Sequence, residues 1–306
     1  MAFRLKPDEP IAKEVKRIVR KQLELAATEL RDIGNPESDE AIHEARRRVK
    51  KVRAVIRLVQ PVLHAPLGID RRLRKVNRLL APVADGQGVV QALDRLGMKY
   101  KDDLPEQTVA ALRAGLIERG ARADRRVKVD HVLQTVTKAL QAEGARVDKW
   151  RLTKGGFRAI ARGLEDSSRR ARKAMALAMA HPTPDNYHLW RRRLKEHWFH
   201  VRLLDPRCGS RLTGYARRLD ALDGCLGEYH NFALLRSILA VDAFVSRVET
   251  AHRLRIIERY QAELRHTSRV LGKRVHAEPP RHFVRRVRDL WRLAKAARRV
   301  RQTRAA

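Results

Sequence analysis

The sequence predicts an all-α fold, and three observations carry this prediction. Apolar residues recur at intervals of three and four along most of the 306-residue chain, which is the spacing of one helix face. Strand-like alternation bounded by turn residues is absent, and so are sustained β-branched runs. Hydrophobic residues make up 43% of the chain, which is enough for a packed core and argues against wholesale disorder.

In the first half of the chain, proline and glycine separate the predicted helices. The opening helix begins at Ile11 and is stopped by the Gly-Asn-Pro sequence at 34–36. The second runs from about Ser38 to Gln60 and ends at Pro61. Further helices are expected at about 70–84, in a short segment after Gly88, at 105–120 and at 121–143.

The second half follows the same plan. Its helices are expected at about 154–180, 185–204, 209–226, 229–247, 249–271 and 281–302, with one of the breaks at Gly227. The turn region 144–153 is the best boundary between the halves, and it is short enough that they should pack together. We therefore expect one domain over 10–303, with an N-terminal half of about 10–144 and a C-terminal half of about 150–303.

The two halves resemble copies of each other. At a constant offset of 145 residues, His43, Arg46, Lys50 and Arg57 correspond to His188, Arg191, Lys195 and Arg202. At an offset of 146, Arg72, Leu73, Val76, Leu80 and Asp85 correspond to Arg218, Leu219, Leu222, Leu226 and Asn231. A run of polar and apolar matches with one single-residue slip indicates an internal duplication of a helical unit.

The second helix of each half carries an apolar stripe with a cationic stripe beside it. Both step by threes and fours, and a shift of one residue rotates a helix position by about 100°, so the cations flank the buried face. The first apolar stripe is Ile42, Ala45, Val49, Val52, Ile56 and Val59, and its cationic stripe is His43, Arg46, Lys50, Arg53 and Arg57. In the second half the stripes are Tyr187, Trp190, Leu194, Val201 and Leu204, and His188, Arg191, Lys195 and Arg202.

The first cationic stripe has almost no compensating acid. From His43 to Arg57 the sequence has seven Arg or Lys residues and one acid, Glu44. Like charges at neighbouring helix positions destabilise a helix, so a polyanion that neutralises them is the expected reason for the pattern. Facing stripes from two packed halves would form a groove that a flexible linear polyanion can thread and a duplex can only lie across.

The overall charge supports a polyanionic partner. The chain has 68 Lys plus Arg against 35 Asp plus Glu, a formal net charge of +33. Aromatic residues are only 5%, which disfavours binding of single strands by base stacking. No apolar run approaches the roughly 20 residues that span a bilayer, and Pro7-Asp8-Glu9-Pro10 does not resemble a signal peptide. A cytoplasmic protein without a membrane partner is expected.

The segment 181–235 carries a recognisable set of motifs. They are Tyr187-His188-Leu189-Trp190-Arg191-Arg192-Arg193-Leu194-Lys195, Leu203-Leu204-Asp205-Pro206 and Leu226-Gly227-Glu228-Tyr229-His230-Asn231-Phe232-Ala233-Leu234-Leu235. The first half has a weaker copy at 43–57 and 80–90. In their order and spacing these motifs resemble the conserved histidine α-helical domain (CHAD) family over about residues 10–300.

The resemblance implies two pseudo-symmetric helical bundles packed around a basic central groove or pore. It also implies binding of inorganic polyphosphate and association with polyphosphate granules. Carried over by position, the polyphosphate ligands are His43, Arg46, Lys50, Arg53, Arg57, Arg72, His188, Arg191, Lys195, Arg202 and Arg218. Three positions depart from the pattern: Asn231 stands where the family usually has Asp, Ala81 replaces the glycine kept at Gly227, and Trp198 stands in the place of Arg53.

Other functions have weaker support in the sequence. A helical protein this basic also binds nucleic acid non-specifically at low salt, although no recognised nucleic-acid motif is present. His197 and His200 lie three residues apart, but no third metal ligand follows. His197 also falls on the apolar stripe, so a hydrogen-bonded core histidine is the preferred interpretation.

No catalytic residue, metal or cofactor is predicted. A phosphatase or a polyphosphate kinase is an alternative without motif support, because the sequence lacks a serine nucleophile elbow, HExxH and GxGxxG. It also lacks the Glu-x-Glu-x-Lys pattern of the triphosphate-cleaving tunnel domain that often accompanies the family. Asp85 could position basic side chains or cap a helix, and Asn231 could cap one. The sequence indicates no oligomeric state.

Overall fold

The structure is a computed structural model that describes residues 3–31, 38–65, 68–81, 86–126, 129–240 and 247–305. Within these ranges the chain is all-α, as predicted from the apolar periodicity. The helices are α1 (Ile11–Arg31), α2 (Ser38–Val59), α3 (Ile69–Leu79), α4 (Gly86–Lys99), α5 (Glu106–Arg126), α6 (Val129–Arg146), α7 (Ala161–Ala180), α8 (Pro184–Leu204), α9 (Thr213–Leu239), α10 (Arg247–Val275) and α11 (Pro280–Ala305). None of these helices is both long and apolar enough to cross a membrane.

The helices of each half pack mainly on their neighbours in sequence. In the first half α1 lies between α2 and α6, and α3 packs on both α2 and α6. In the second half α8 lies between α7 and α9, and α10 packs on α9. The last helix, α11, packs on α7 and on the short 3-10 turn Asp205–Cys208.

The two halves meet along α2, which packs against both α7 and α8, and along α4, which packs against α9. A Cβ atom at Gly163 of α7 would lie 1.9 Å from the carbonyl oxygen of Leu58 in α2, so only glycine allows this approach. One turn earlier on α2, the buried His200 ring places Nε2 2.8 Å from the carbonyl oxygen of Ala54. The amide of Leu5 adds a main-chain hydrogen bond, donating to the carbonyl of Leu203 at 3.1 Å.

One short sheet was not expected from the sequence. Strands β1 (Leu63–His64) and β2 (Arg151–Leu152) pair antiparallel, with Leu63 opposite Leu152 and His64 opposite Arg151. The amide of Thr153 continues this contact by donating to the carbonyl of Val62 at 2.9 Å. Backbone hydrogen bonds therefore attach the boundary segment to the residues that follow α2. Strands of two residues are too short to leave a pattern in the sequence that would predict this pairing.

Three predicted helix boundaries are wrong. The segments predicted at 209–226 and 229–247 form one helix over Thr213–Leu239, with Gly227 inside α9. A Cβ at Gly227 would lie 2.9 Å from Nη2 of Arg191, so the glycine makes room for a guanidinium instead of ending the helix. Gly120 likewise lies within α5, and a 3-10 turn over Gly156–Ala159 precedes α7. The predicted stop at 34–36 and Asp85 lie outside the described residues.

Candidate functional site

Both apolar stripes are buried, as their spacing predicts. On α2 every stripe residue from Ile42 to Val59 is at most 3% exposed, and on α8 the stripe from Tyr187 to Leu204 is at most 2% exposed. The cationic stripes therefore emerge at the edges of the buried faces, where a side chain can pack its stem against the core and turn its charged end outward.

A cavity of about 520 Å³ lies between α2, α3 and α8. Ten of its lining residues are Arg or Lys, whereas Glu196 is the single acid among them. We call this cavity the basic pocket; its lining is Arg46, Lys50, Arg53, Ala54, Arg57, Arg74, Asn77, Arg78, His188, Arg191, Arg192, Arg193, Lys195, Glu196 and Phe199. A partly enclosed site with this charge concentrates positive potential because its protein walls have a low dielectric constant.

Seven of the eleven predicted ligands line the basic pocket: Arg46, Lys50, Arg53, Arg57, His188, Arg191 and Lys195. The other four have different surroundings. Arg72 donates from Nε to Glu143 at 2.5 Å, Arg202 lies over the Trp198 ring at 4.8 Å, and Arg218 lies over the Tyr215 ring at 5.8 Å. His43 is exposed near the start of α2.

The third wall of the basic pocket was missed by sequence reasoning. It consists of Arg74, Asn77 and Arg78 on α3, whereas the residue of this helix predicted as a ligand, Arg72, faces Glu143. Asn77 and Arg78 follow Arg74 by three and four residues, so the sequence could have predicted that these three side chains share one face of α3. Which face of α3 meets α2 depends on packing that the sequence does not show. Arg192 and Arg193 also line the pocket beside Arg191.

Asp70, at the start of α3, holds two arginines of α2 in place. Its carboxylate accepts from Nε of Arg53 at 2.9 Å and from Nη2 of Arg57 at 3.0 Å, and Arg74 approaches to 3.3 Å. Burial by itself would raise the pKa of Asp70, but the hydrogen bonds from Arg53 and Arg57 lower that pKa to about 2. Asp70 is therefore ionised throughout the physiological pH range.

Glu196 is a buried carboxylate that connects the two halves. It accepts from Nη1 of Arg57 in α2 at 2.6 Å and from Nη2 of Arg170 in α7 at 2.7 Å, and Arg193 lies 3.7 Å away. Burial opposes its ionisation, but His200, Arg57 and Arg170 outweigh burial and lower the pKa of Glu196. A buried carboxylate in this position is stable only while its cationic partners remain.

Asp223 on α9 plays the corresponding part for α8. Its Oδ2 lies 2.8 Å from Nζ of Lys195, and its Oδ1 lies 3.6 Å from Nε of Arg191. The Arg191 guanidinium also lies against Gly227, one turn further along α9. Carboxylate and glycine together restrict the rotamers of these two cations, which reduces the entropy lost when they bind an anion.

His188 enters the basic pocket as a neutral imidazole. Its ring stacks on His230 with centroids 4.3 Å apart. Burial, followed by the charges of Arg192 and Arg191, lowers the pKa of His188 below its ordinary value. A bound anion would offset the charges of Arg192 and Arg191, so His188 is protonated more readily in the complex than in the free protein.

His197 and His200 are core residues, as predicted for His197 from its place on the apolar stripe. Both are fully buried and share the hydroxyl of Ser167, with His197 Nδ1 at 3.0 Å and His200 Nδ1 at 2.9 Å. Burial lowers the pKa of His200 to about 4, so the ring is neutral and Nε2–H donates to Ala54. In the described part of the chain, no three His, Cys, Asp or Glu residues are grouped to hold a metal ion.

Two further sequence interpretations can be compared with the structure. Asn231 lies inside α9, so its interpretation as a helix cap is wrong. Its side chain instead lies against α4, where a Cβ atom at Gly88 would be 3.2 Å from Nδ2 of Asn231, so the two helices pack closely. Trp198, which stands in the place of Arg53, donates its indole N–H to the carbonyl of Ala216 at 3.1 Å.

The comparisons with known proteins agree with this architecture. The CHAD domain family model matches residues 17–240, which is more than two thirds of the chain. The crystal structure of the CHAD domain from the plant Ricinus communis has a similar fold, with a TM-score of 0.62 and 14% sequence identity over 95% of each chain. Among curated proteins no sequence matches the chain. The extent of the family match establishes that this chain belongs to the CHAD domain family.

Proposed function

We propose that the protein binds inorganic polyphosphate in the basic pocket, with α2, α3 and α8 each supplying cations. The observation that carries this proposal is the lining itself, ten Arg or Lys side chains and one acid around about 520 Å³. Polyphosphate binding is also the role known for the CHAD family. A linear phosphate chain is narrow enough to enter a space bounded by three helices, and it offers one anionic group after another to the cations.

The chemistry of the lining suits phosphate. The planar fork of a guanidinium can donate to two phosphate oxygens, whereas the ammonium of a lysine acts as a mobile point charge. Asp70, Glu196 and Asp223 bind part of the donors of Arg57 and Lys195, and both of these cations also line the pocket. Binding is therefore expected to derive mainly from charge neutralisation and counterion release, and to weaken steeply as salt is raised.

The pocket favours binding without cleavage. Its single acid, Glu196, is ion-paired with Arg57 and Arg170 and has a lowered pKa, so it is a poor general acid or base near neutral pH. We include in the proposal that the protein associates with polyphosphate granules, where its net charge of +33 can neutralise many phosphates at once.

The first test removes four cations from the lining of the basic pocket. The variant changes Arg46, Lys50, Arg78 and Arg192 to Gln, which leaves the pairs of Arg53, Arg57, Arg191 and Lys195 with the three carboxylates intact. Affinity for long-chain polyphosphate at physiological salt is expected to fall about a hundredfold, because roughly four phosphate contacts are lost. Isothermal titration measures this change.

A matched control carries the same change in net charge on scattered exposed cations. Lys101→Gln, Arg119→Gln, Lys138→Gln and Lys154→Gln remove four charges from residues that do not line the pocket. This scattered control should change polyphosphate affinity less than about threefold, since distant exposed charges are screened. Equal losses in the two variants, or no loss in the pocket variant, would show that the basic pocket is not the binding site.

A further inference from the structure

The last helix carries a second row of cations that has no part in the basic pocket. We call it the α11 stripe; its members are Arg281, Arg285, Arg288, Arg292, Lys295 and Arg299. They step by four, three, four, three and four residues, so they lie along one face of α11 over about 27 Å. None of them lines the basic pocket, and α11 begins forty residues beyond the end of the family-model match at residue 240.

The α11 stripe is exposed because a different face of the helix is buried. Phe283, Val287 and Trp291 are at most 7% exposed and hold α11 against the rest of the molecule. Arg281, with a side chain 88% exposed, lies 3.7 Å from Glu165, and Arg288 lies over the Phe157 ring at 5.7 Å. The remaining four cations of the stripe form no ion pair with any residue in the described ranges.

Some exposed cations of the neighbouring helix α7 are paired with acids of the same helix. On α7, Arg162 pairs with Asp166 at 3.3 Å, and Arg169 pairs with Glu165 at 2.5 Å. The α11 stripe instead sets like charges three and four residues apart along five turns, an arrangement that weakens a helix unless an anion neutralises it.

We propose that the α11 stripe is a binding surface for the phosphate backbone of duplex nucleic acid, independent of base sequence. The six cations are exposed along a single helix, which suits a rigid polyanion with about one charge per 1.7 Å of axis. The aromatic residues of α11, Phe283 and Trp291, are buried, so the stripe offers no stacking platform for single-stranded bases. Contacts made to phosphates alone position a duplex without reading its sequence.

The distribution of apolar residues on α11 favours nucleic acid over an anionic membrane. The exposed apolar side chains of this helix are Leu293 and Val300, which are 59% and 53% exposed. Each follows a stripe residue by one position and so is rotated by about 100° from it. Two apolar side chains seven residues apart do not form the continuous apolar face that an interfacial helix buries in a membrane.

The test changes Arg285, Arg292 and Lys295 of the α11 stripe to Gln and uses mixed-sequence duplex DNA of about 25 base pairs as the probe. Fluorescence anisotropy across a salt series is expected to show at least a tenfold loss of affinity at physiological salt. The slope of log K against log salt should become shallower by between two and three, because each lost phosphate contact contributes about 0.9. Glutamine preserves helix propensity, and Arg288 is left in contact with Phe157.

Two comparisons make the result decisive. The three-residue control Arg119→Gln, Lys138→Gln and Lys154→Gln should retain duplex affinity within about threefold, and the α11 variant should retain its affinity for long-chain polyphosphate. If the control loses as much duplex affinity as the α11 variant, the loss depends only on net charge and the proposal is wrong. Unchanged duplex binding in the α11 variant would overturn it as well.

A membrane outcome is tested with the same proteins. If vesicles containing phosphatidylserine bind the wild type and not the α11 variant, while duplex binding is equal in both, the stripe is a membrane surface and the proposal is wrong. The pocket variant with Arg46, Lys50, Arg78 and Arg192 changed to Gln should keep its duplex binding, so failure of the polyphosphate assignment and failure of this proposal give different results.

Discussion

The two basic helices α2 and α8 follow one sequence pattern, yet their cations are balanced differently. On α8, Lys195 and Arg191 face the carboxylate of Asp223 at 2.8 and 3.6 Å. At the spacing of 146 residues that the sequence suggests for the repeat, the counterpart of Asp223 is Asn77, a neutral amide on α3. Both polar side-chain atoms of Asn77 are buried at the pocket wall and have no hydrogen-bond partner in the described part of the chain.

At the C-terminal ends of the two helices it is α2, and not α8, whose arginine is paired with acids among the described residues. Arg57 of α2 is held by Asp70 and Glu196, whereas its counterpart on α8, Arg202, lies over the indole ring of Trp198. Similar rows of cations can therefore differ in net charge along their length, because the acids come from neighbouring helices. A basic stripe in a sequence indicates where cations lie, and its partners decide how much of their charge is available to a ligand.

The largest expected effect comes from breaking the connection between the two helices at Glu196. Glu196→Gln removes the carboxylate partner of Arg170 and leaves Arg57 with Asp70 alone, and it should lower the free energy of unfolding by about 3 kcal/mol. Urea denaturation measures this loss, and added long-chain polyphosphate should recover part of it by linkage. Asp166→Asn, which removes pairs to two exposed arginines, should cost less than about 1 kcal/mol. Equal costs for the two variants would contradict the role of Glu196.

The next effect tests the difference between Asn77 and Asp223 directly. Asn77→Asp adds a carboxylate to the wall of the basic pocket, and we expect polyphosphate affinity to fall about tenfold, since an anion beside a bound phosphate repels it. Titration calorimetry at fixed ionic strength measures the change. Asn77→Ser, which alters the same side chain without adding charge, should stay within about threefold. An unchanged or higher affinity for Asn77→Asp would contradict the asymmetry between the walls.

The smallest effect concerns the histidine that α8 contributes to the pocket. His188 has a lowered pKa in the free protein, and a bound phosphate raises it, so the complex takes up a proton. Affinity for polyphosphate should therefore increase about threefold as pH falls from roughly 7.5 to 6. His188→Gln should flatten that part of the profile while leaving affinity at high pH nearly unchanged. A profile that is identical in His188→Gln and wild type would assign the pH dependence to other groups.

Periodicity alone was sufficient for the all-α class and for the two stripes, but not for every helix boundary. The apolar residues of α2 and α8 are buried as their spacing predicts, and seven of eleven predicted ligands line one cavity. Local sequence was sufficient here because a helix face depends only on the spacing of residues along the chain. The same reasoning placed His197 correctly in the core.

The missed features depend on how helices are rotated and brought together. Gly227 resembles a helix break in the sequence, and only the position of the Arg191 side chain explains why glycine lies inside α9. Arg74 and Arg78 became pocket residues because one particular face of α3 meets α2. Arg72 instead faces Glu143 of α6, more than seventy residues away in the chain. These contacts depend on how the helices pack in three dimensions, so neither helix propensity nor residue spacing predicts them.

The contact at Gly163 has a mechanical consequence for the cavity. A single methyl group there would overlap the Leu58 carbonyl and wedge α7 away from α2, and with α7 would move α8, which packs on both. The contact between the main chains of Gly163 and Leu58 therefore sets the width of the basic pocket. Main-chain atoms rearrange less than long side chains do, so we expect the width of the basic pocket to change little with salt or pH.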